Sequence, residues 1–455
     1  MSGTLIVGGG IAGLSAAWQL ARAGIEATII EKRSEPGGVI RTERRDGCIL
    51  EAGPDSFLAV KPEALDLIRE AGLEDQVIGS NDDRRVTYIL KRGKLVPLPD
   101  GLMMMVPTKI LPMVKTSLVG WRTKIRMGFE YLRRPGDPRP DRSVHDFLLD
   151  HYGEEAVDYL AEPLLAGVYG GDPKQLSAPS VLARFVEIEN KYGSLTRGTL
   201  ATATANGRAR GGSIFKTLKG GLGTLVDAIS RGRTMVHGTA EAVERTADGY
   251  RVRVNGDWLQ GESLIVATPA HVTAGLLQPV DGELADLLSA IPYNSSTILT
   301  LAFRIADLET PPHGFGFLIP KRERRRLAAA TWVQNKFDHR APAGIALLRC
   351  FLGGSALNES DELLVEIARE EVRRILGITA APIFHNLNRW PNAMAQYIVG
   401  HARRIAEIEA RRRAIPGLCL AGNAYQGIGI PDCIRTGKQA AQTVAATCLR
   451  AQTSY

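Results

Sequence analysis

Sulfur is scarce: the 455 residues include five cysteines (Cys48, Cys350, Cys419, Cys433 and Cys448), an odd number with no Cys-x-x-Cys spacing. This argues against a disulfide framework or a zinc site and for buried free thiols in a reducing compartment. His145 and His151 lack a second ligand pattern and read as surface or cap residues, so no metal is expected. No apolar run reaches 18 residues, which excludes a membrane-crossing helix of the usual kind. The chain enters its first strand at once, so neither a signal nor a transit peptide is expected. Aromatics are only 6%, and neither a Ser/His/Asp arrangement nor a carboxylate pair stands out.

With 44% hydrophobic residues, 48 glycines and 23% charged residues, the composition is that of an α/β protein. Its length exceeds what one core supports, so two or three domains are expected. The net charge is +7, yet the stretch 84–142 alone holds 14 bases against four acids. Such a field favours anionic partners, and without interleaved aromatics it does not suit nucleic acid. Within it, Leu102–Val106 and Ile110–Gly120 mix apolar residues with Pro107, Lys109, Pro112 and Lys115. Two readings stand side by side: a helical subdomain with a Met-rich core, or an apolar patch lying on an anionic membrane surface.

The most informative stretch is the start. Leu5-Ile6-Val7 runs into Gly8, Gly10 and Gly13 in GxGxxG spacing, then into a helical pattern from Leu14 to Ala23 closed by Gly24. This is the opening of a dinucleotide-binding βαβ unit. Gly8 permits the tight turn, Gly10 lets backbone approach a pyrophosphate, and Gly13 lets the helix lie close to the strand. The second strand delivers Glu31, whose charge suits a ribose hydroxyl and repels a 2′-phosphate, so FAD or NAD is expected rather than NADP.

Further along, Ser143 and Ser360 read as helix N-caps, the latter before a helix 361–376 closed by Gly377. The segment 193–212 has no periodicity and reads as a loop that could gate a pocket. Strands without long helices between 297 and 352 read as an antiparallel sheet. At the far end Gly422-Asn423, Gly427, Gly429 and Pro431 open a last helix, whose positive N-terminal end suits negative charge such as that of reduced flavin.

Pro36-Gly37-Gly38-Val39-Ile40-Arg41-Thr42 resembles the FAD signature of the flavin amine oxidase and phytoene desaturase superfamily. Glu51–Phe57, Leu165–Gly171, Trp390-Pro391 with Gln396-Tyr397 and Gly400-His401, and Gly422–Arg435 resemble its porphyrinogen oxidase branch, the oxygen-dependent protoporphyrinogen oxidase family, over essentially the whole chain. That resemblance implies a two-dinucleotide-fold, Rossmann-like FAD domain (1–60, 211–285 and 385–455), an antiparallel-sheet substrate domain (61–95 and 286–384) and a helical, membrane-facing domain (96–210). It implies that FAD is held by Gly8, Gly10, Ile11, Ala12, Gly13, Glu31, Lys32, Gly37, Gly38, Arg41, Thr42, Gly53, Pro54, Asp55, Ser56, Val243, Thr268, Trp390, Gly422, Asn423, Gly429, Ile430 and Pro431. It places Arg85 (or its neighbour Arg84) at a substrate propionate and Phe315, Leu318 and Phe351 along the macrocycle, with Gly167 giving backbone access at the flavin face.

The implied reaction takes six electrons from protoporphyrinogen IX, as hydride from carbon to flavin, with dioxygen as acceptor and hydrogen peroxide as product. Coproporphyrinogen III oxidation is the near alternative; a flavin amine oxidase, a carotenoid desaturase and a non-catalytic flavoprotein scaffold are more distant. Further partners considered are an anionic membrane surface, ferrochelatase or another haem-pathway enzyme, and a second copy of the chain. The expected location is the cytoplasm, at or near the inner face of the cell membrane.

Overall fold

A computed structural model describes residues 3–205 and 212–453. The chain divides into two compact units, Met1–Gly79 with Ile214–Tyr293 and Arg403–Tyr455, and Ser80–Ser213 with Asn294–Ala402. Segment 61–79, expected with the substrate domain, belongs to the first unit, and 385–402, expected with the FAD domain, belongs to the second. The expected helical and sheet domains form one unit, because Ile89 and Leu318 of the sheet pack into the hydrophobic cluster of the helices.

The first unit is built on a five-stranded parallel sheet in the order Thr234–His237, Ala27–Glu31, Thr4–Val7, Ser263–Val266, Leu418–Leu420. These strands are short, and the central Thr4–Val7 and Ser263–Val266 are apolar-rich and buried throughout, as a parallel sheet covered on both faces requires. From Thr4–Val7 the chain first goes to one side, to Ala27–Glu31, and later returns to the other, at Ser263–Val266. That reversal opens a crevice at the carboxyl end of the central strand, where open α/β sheets bind their ligands.

The helix Ile11–Arg22 begins three residues earlier than its apolar periodicity suggests, directly on Gly10. A Cβ on Gly13 would overlap the carbonyl oxygen of Gly8, so the helix can sit this close to the strand only with glycine there. The long last helix, Ile430–Thr453, packs against Ile11–Arg22, and a Cβ on Gly437 would overlap the carbonyl oxygen of Ala12. Both ends of the chain are thereby locked onto one glycine turn.

In the second unit a seven-stranded sheet runs in the order Phe384–Ala395, Tyr293–Arg304, Ile345–Leu352, Leu327–Trp332, Gly316–Leu318, Thr87–Lys91, Lys94–Pro97. It is antiparallel except where Thr87–Lys91 meets Gly316–Leu318, so the antiparallel expectation holds with one parallel step. Arg92 and Gly93 both have positive φ, the turn a two-residue hairpin needs. The amphipathic helix Asp361–Leu376, capped by the Ser360 hydroxyl and closed by Gly377 in the left-handed region, places Leu364, Ala368 and Val372 in one cluster with Phe317, Ala330 and Cys350 of the sheet.

The helices of this unit include Trp121–Glu130, Val144–Tyr152, Ala183–Tyr192 and Leu195–Ala205. The Ser143 hydroxyl accepts the Asp146 N–H, as its N-cap reading expects. The expected loop at 193–212 is instead helical from Leu195 to Ala205, and 206–211 lie outside the described residues. Met105, Met113 and Met127 are buried, which accounts for the Met-rich core, while Ile110, Leu111, Trp121, Ile125 and Phe129 are exposed.

His151 is not a surface residue: its side chain is fully buried, with Nδ1 2.9 Å from Glu130 Oε1 and Nε2 3.1 Å from Glu189 Oε1. Glu130 also accepts the Ser194 hydroxyl (3.0 Å) and the Leu195 amide (2.6 Å), and Arg142 holds both Glu189 oxygens at 2.7 and 2.8 Å. Four helices converge on this polar knot, where each group is costly unless paired. Burial raises the Glu189 pKa, but the hydrogen bond from His151 and the charge of Arg142 outweigh it and bring the carboxyl down to about 2. A carboxyl depressed in the folded state contributes stability above its unfolded pKa of about 4.3 and loses it as pH falls toward the folded value. Glu189→Gln should therefore cost about 3 kcal/mol at neutral pH. In thermal melts the gap between wild type and variant should narrow as pH is lowered from about 5 to 2.5; a gap independent of pH would contradict this assignment.

Candidate active site

The glycine turn supplies the first part of the site. Gly8 has φ +107, and a Cβ there would press against Ala267 O and Thr268 Cγ2, so Thr268 is brought to the turn. The first helical hydrogen bond runs from Leu14 N–H to Gly10 O (2.9 Å), leaving the amides of Ile11, Ala12 and Gly13 at the helix mouth, where an anion is favoured. The second glycine pair lies beside the first: Gly37 N–H donates to Gly9 O (2.8 Å), and Gly38 backs onto Gly10. A Cβ at Gly10 would meet only Gly38 Cα at 3.9 Å, and one at Gly422 would meet nothing within 4 Å. These two glycines border open space that a side chain would fill, a cradle suited to a dinucleotide.

Glu31 ends its strand beneath this turn. It is buried, with Oε2 accepting Gly9 N–H (2.7 Å) and Oε1 accepting Arg33 N–H (3.0 Å). The acid thus fixes the glycine loop, and each oxygen keeps a second lone pair for a ribose hydroxyl. Lys32 is exposed next to it.

Other expected cofactor residues fall differently. The Thr42 hydroxyl donates to Glu51 Oε2 (2.7 Å) and accepts Gly223 N–H (2.8 Å), while Glu51 Oε1 accepts Leu222 N–H (2.8 Å). Thr42 is therefore a bracket between the hairpin 42–51 and the next glycine loop. Arg41 is more than half exposed, 3.4 Å from Glu43. Ala52 N–H donates to Arg41 O, and a Cβ on Gly53 would overlap Val39 O, so Gly53 is drawn back against 39–41; Pro54, Asp55 and Ser56 follow it, with the Ser56 hydroxyl donating to Asp55 Oδ1 (2.7 Å). Val243 is fully buried among Val7, Ile30 and Val252, and its side chain is core. Trp390 lies in the second unit, on the edge strand of the seven-stranded sheet.

At the far end of the chain Gly422 N–H donates to the Thr436 hydroxyl (3.1 Å), and Asn423 Oδ1 accepts the Tyr293 hydroxyl (3.3 Å). Gly429, Ile430 and Pro431 form the mouth of the last helix. The carboxylate of Asp432 sits just inside it, bound by Lys61 Nζ at 2.6 and 2.7 Å. Neither Lys61 nor Tyr293 stands out in the sequence, since a lysine 371 positions from its partner carries no local signal.

The expected substrate residues all lie in the second unit. Register pairs Ile89 with Leu318, Leu318 with Ala329, Ala329 with Phe351, and Phe351 with Ile298, so Leu318 and Phe351 share one row and one sheet face. Gly167, exposed on the helix Glu162–Tyr169, faces this row: a Cβ there would lie 3.6 Å from Leu318 Cδ2. Phe315, buried ahead of Gly316, is out of register with the row. Arg85 is exposed at the entry to Thr87–Lys91, as is Arg84. A residue the sequence did not mark is Arg349, buried two positions from Phe351 with its guanidinium 5.0 Å over that ring. The 165–171 and 396–401 strings also meet here: Gln396 Nε2 donates to Tyr169 O (2.8 Å), and Tyr397 stacks on His401 with centroids 3.9 Å apart.

The thiols take no part. All five cysteines are free, and four are buried; burial raises Cys350 and Cys433 to about 12, far from a reactive thiolate. No group of metal ligands exists among the described residues.

Residues 11–445 match the model of the flavin containing amine oxidoreductases. The coproporphyrinogen III oxidase of Bacillus subtilis (strain 168) is 34% identical over 96% of this chain and 96% of that protein. That of Propionibacterium freudenreichii is 34% identical over 99% and 92%, and the chloroplastic protoporphyrinogen oxidase of Nicotiana tabacum 28% over 97% and 85%. A crystal structure named "Putative protoporphyrinogen oxidase", from Exiguobacterium sp. 255-15, has a TM-score of 0.87 at 30% identity, covering 98% of both chains. Reduced UDP-galactopyranose mutase, at 17% identity and a TM-score of 0.73, shares the fold. The open space at Gly10 and Gly422 would suit FAD, and the chain is an FAD-dependent oxidoreductase that belongs to the family of flavin containing amine oxidoreductases.

Proposed function

We propose that this chain oxidises a porphyrinogen to the corresponding porphyrin, with coproporphyrinogen III ahead of protoporphyrinogen IX as its substrate. The observation that carries the reading is the end-to-end likeness to coproporphyrinogen III oxidases, at 34% against 28% for a protoporphyrinogen oxidase. Bound FAD supplies two-electron acceptance, three rounds of which remove six electrons from the macrocycle while three dioxygen molecules become three hydrogen peroxide. The chain's own task is to bind, orient and exclude. The row Ile298, Phe351, Ala329 and Leu318 offers a flat apolar wall, and Gly167 leaves room beside it because it has no side chain. Arg85, exposed just ahead of the strand Thr87–Lys91, is the cation assigned to a propionate.

The exposed apolar residues support a second proposal, an anionic lipid surface as partner. Trp121, Ile125 and Phe129 are 65%, 56% and 68% exposed at i, i+4 and i+8 of one helix, and Ile110 is 84% exposed on the preceding one. Lys124 ties the two segments by donating to Val114 O and Thr116 O, both at 2.7 Å. An apolar stripe rimmed by Lys115, Arg122 and Arg126 fits the surface of an anionic bilayer. No helix among the described residues is long and apolar enough to cross one.

Turnover of the two porphyrinogens side by side should give a kcat/KM at least about tenfold higher for coproporphyrinogen III, a difference of about 1.4 kcal/mol in transition-state binding; equal values would remove the stated preference. Arg85→Ala should raise KM about tenfold or more while the purified protein stays yellow, and an unchanged KM would rule out the propionate role. The protein should co-sediment with phosphatidylglycerol vesicles and not with phosphatidylcholine vesicles, and Trp121→Ser with Phe129→Ser should abolish this.

A further inference from the structure

Asp432 lies at the positive helix mouth that the sequence offers to negative charge. It is in the first turn of Ile430–Thr453, and its side chain is 7% exposed. Gly427 has φ +120, and a Cβ there would collide with the Asp432 carboxyl group; a Cβ on Gly429 would lie 3.2 Å from Asp432 Oδ2. The turn 427–429 is therefore wrapped around a carboxylate. Lys61 Nζ meets both oxygens, at 2.7 and 2.6 Å, and Arg435 reaches Oδ1 at 3.1 Å. Arg435 is shared: it also binds Gln426 O (2.6 Å) and faces Glu63 at 3.5 Å. Lys61 is thus the main counter-charge to Asp432, donated from a loop far away in sequence.

We propose that Lys61 and Asp432 form a positioning pair that sets the shape and the electrostatic potential of the glycine turn against FAD. The inference rests on the reading that Gly429, Ile430 and Pro431 line the cofactor site. Asp432 is the form around which the turn folds, and its negative charge opposes any negative charge that the cofactor gains on reduction. Lys61 offsets that charge. Removing the cation leaves a partly compensated carboxylate next to the site, and neutralising the carboxylate leaves the cation in excess. The two partners of one ion pair therefore act on reduction with opposite sign. A merely structural role would not do this, since losing either partner would disturb the turn in the same way.

The holoenzyme is used for the test. FAD affinity is measured by titrating the deflavinated protein, and the midpoint potential of bound flavin by equilibration with a reference dye, for wild type, Lys61→Met, Lys61→Arg and Asp432→Asn. The expected result is a lower potential in Lys61→Met, a higher one in Asp432→Asn and a wild-type value in Lys61→Arg, with FAD binding weakened about tenfold or more in Asp432→Asn. Shifts of the same sign, or unchanged potentials in variants that hold FAD, would overturn the pair's role while leaving the cofactor reading intact. If Asp432→Asn does not fold, Lys61→Met against Lys61→Arg decides alone: a potential lowered by Met and restored by Arg supports the pair, and equal potentials overturn it. A wild-type protein that takes up no FAD would overturn both the inference and the reading beneath it.

Discussion

The backbone contact at Gly13 is the constraint on which the first unit depends. With no Cβ, the helix Ile11–Arg22 closes onto the carbonyl of Gly8, and its first-turn amides are aimed at the end of the central strand. A side chain there would push the helix away and blunt that end. Gly437 repeats the device from the other terminus, bringing the last helix against Ala12. Two glycines more than 400 positions apart thus enforce one arrangement, and the intervening strands are placed around it.

Negative charge is handled with equal economy. Glu31 is buried but held by two backbone amides, which immobilise the loop and leave the carboxylate able to accept more. Asp432 is buried but held by Lys61. In the second unit the buried Glu130 and the half-buried Glu189 close around His151 and are answered by Arg142 and backbone donors. Each carboxylate would be costly alone, and each instead fixes the geometry of the segment that satisfies it.

In the second unit, the placing of the expected substrate residues depends on register. Leu318 and Phe351 share a row because three adjacent strands pair Leu318, Ala329 and Phe351 directly, and a slip of one residue would turn both away. Phe315 is similar in type and near in sequence, yet lies outside that row. The same periodicity that buries Phe317 and Cys350 against the helix Asp361–Leu376 presents Leu318 and Phe351 to the other face.

What the sequence by itself determined was local. The glycine spacing, the strand-ending Glu31, the Ser143 and Ser360 caps and the hairpin at Arg92-Gly93 are written in neighbouring residues, where backbone sterics and short hydrogen bonds decide the outcome. Residue type alone failed wherever a partner was distant. His151 looks like a surface residue until Glu130 and Glu189 close on it, and 195–205 looks like a loop until Glu130 accepts the Leu195 amide at the helix start. Nor does residue type show that the Thr42 side chain is held by Glu51 or that the Val243 side chain lies in the core. Only the tertiary structure joined Lys61 to Asp432, set Gly167 beside Leu318 and divided the chain at 79, 213, 293 and 402. The reason is physical: a turn is fixed by the residues within it, whereas burial and ion pairing are properties of whatever the rest of the chain brings alongside.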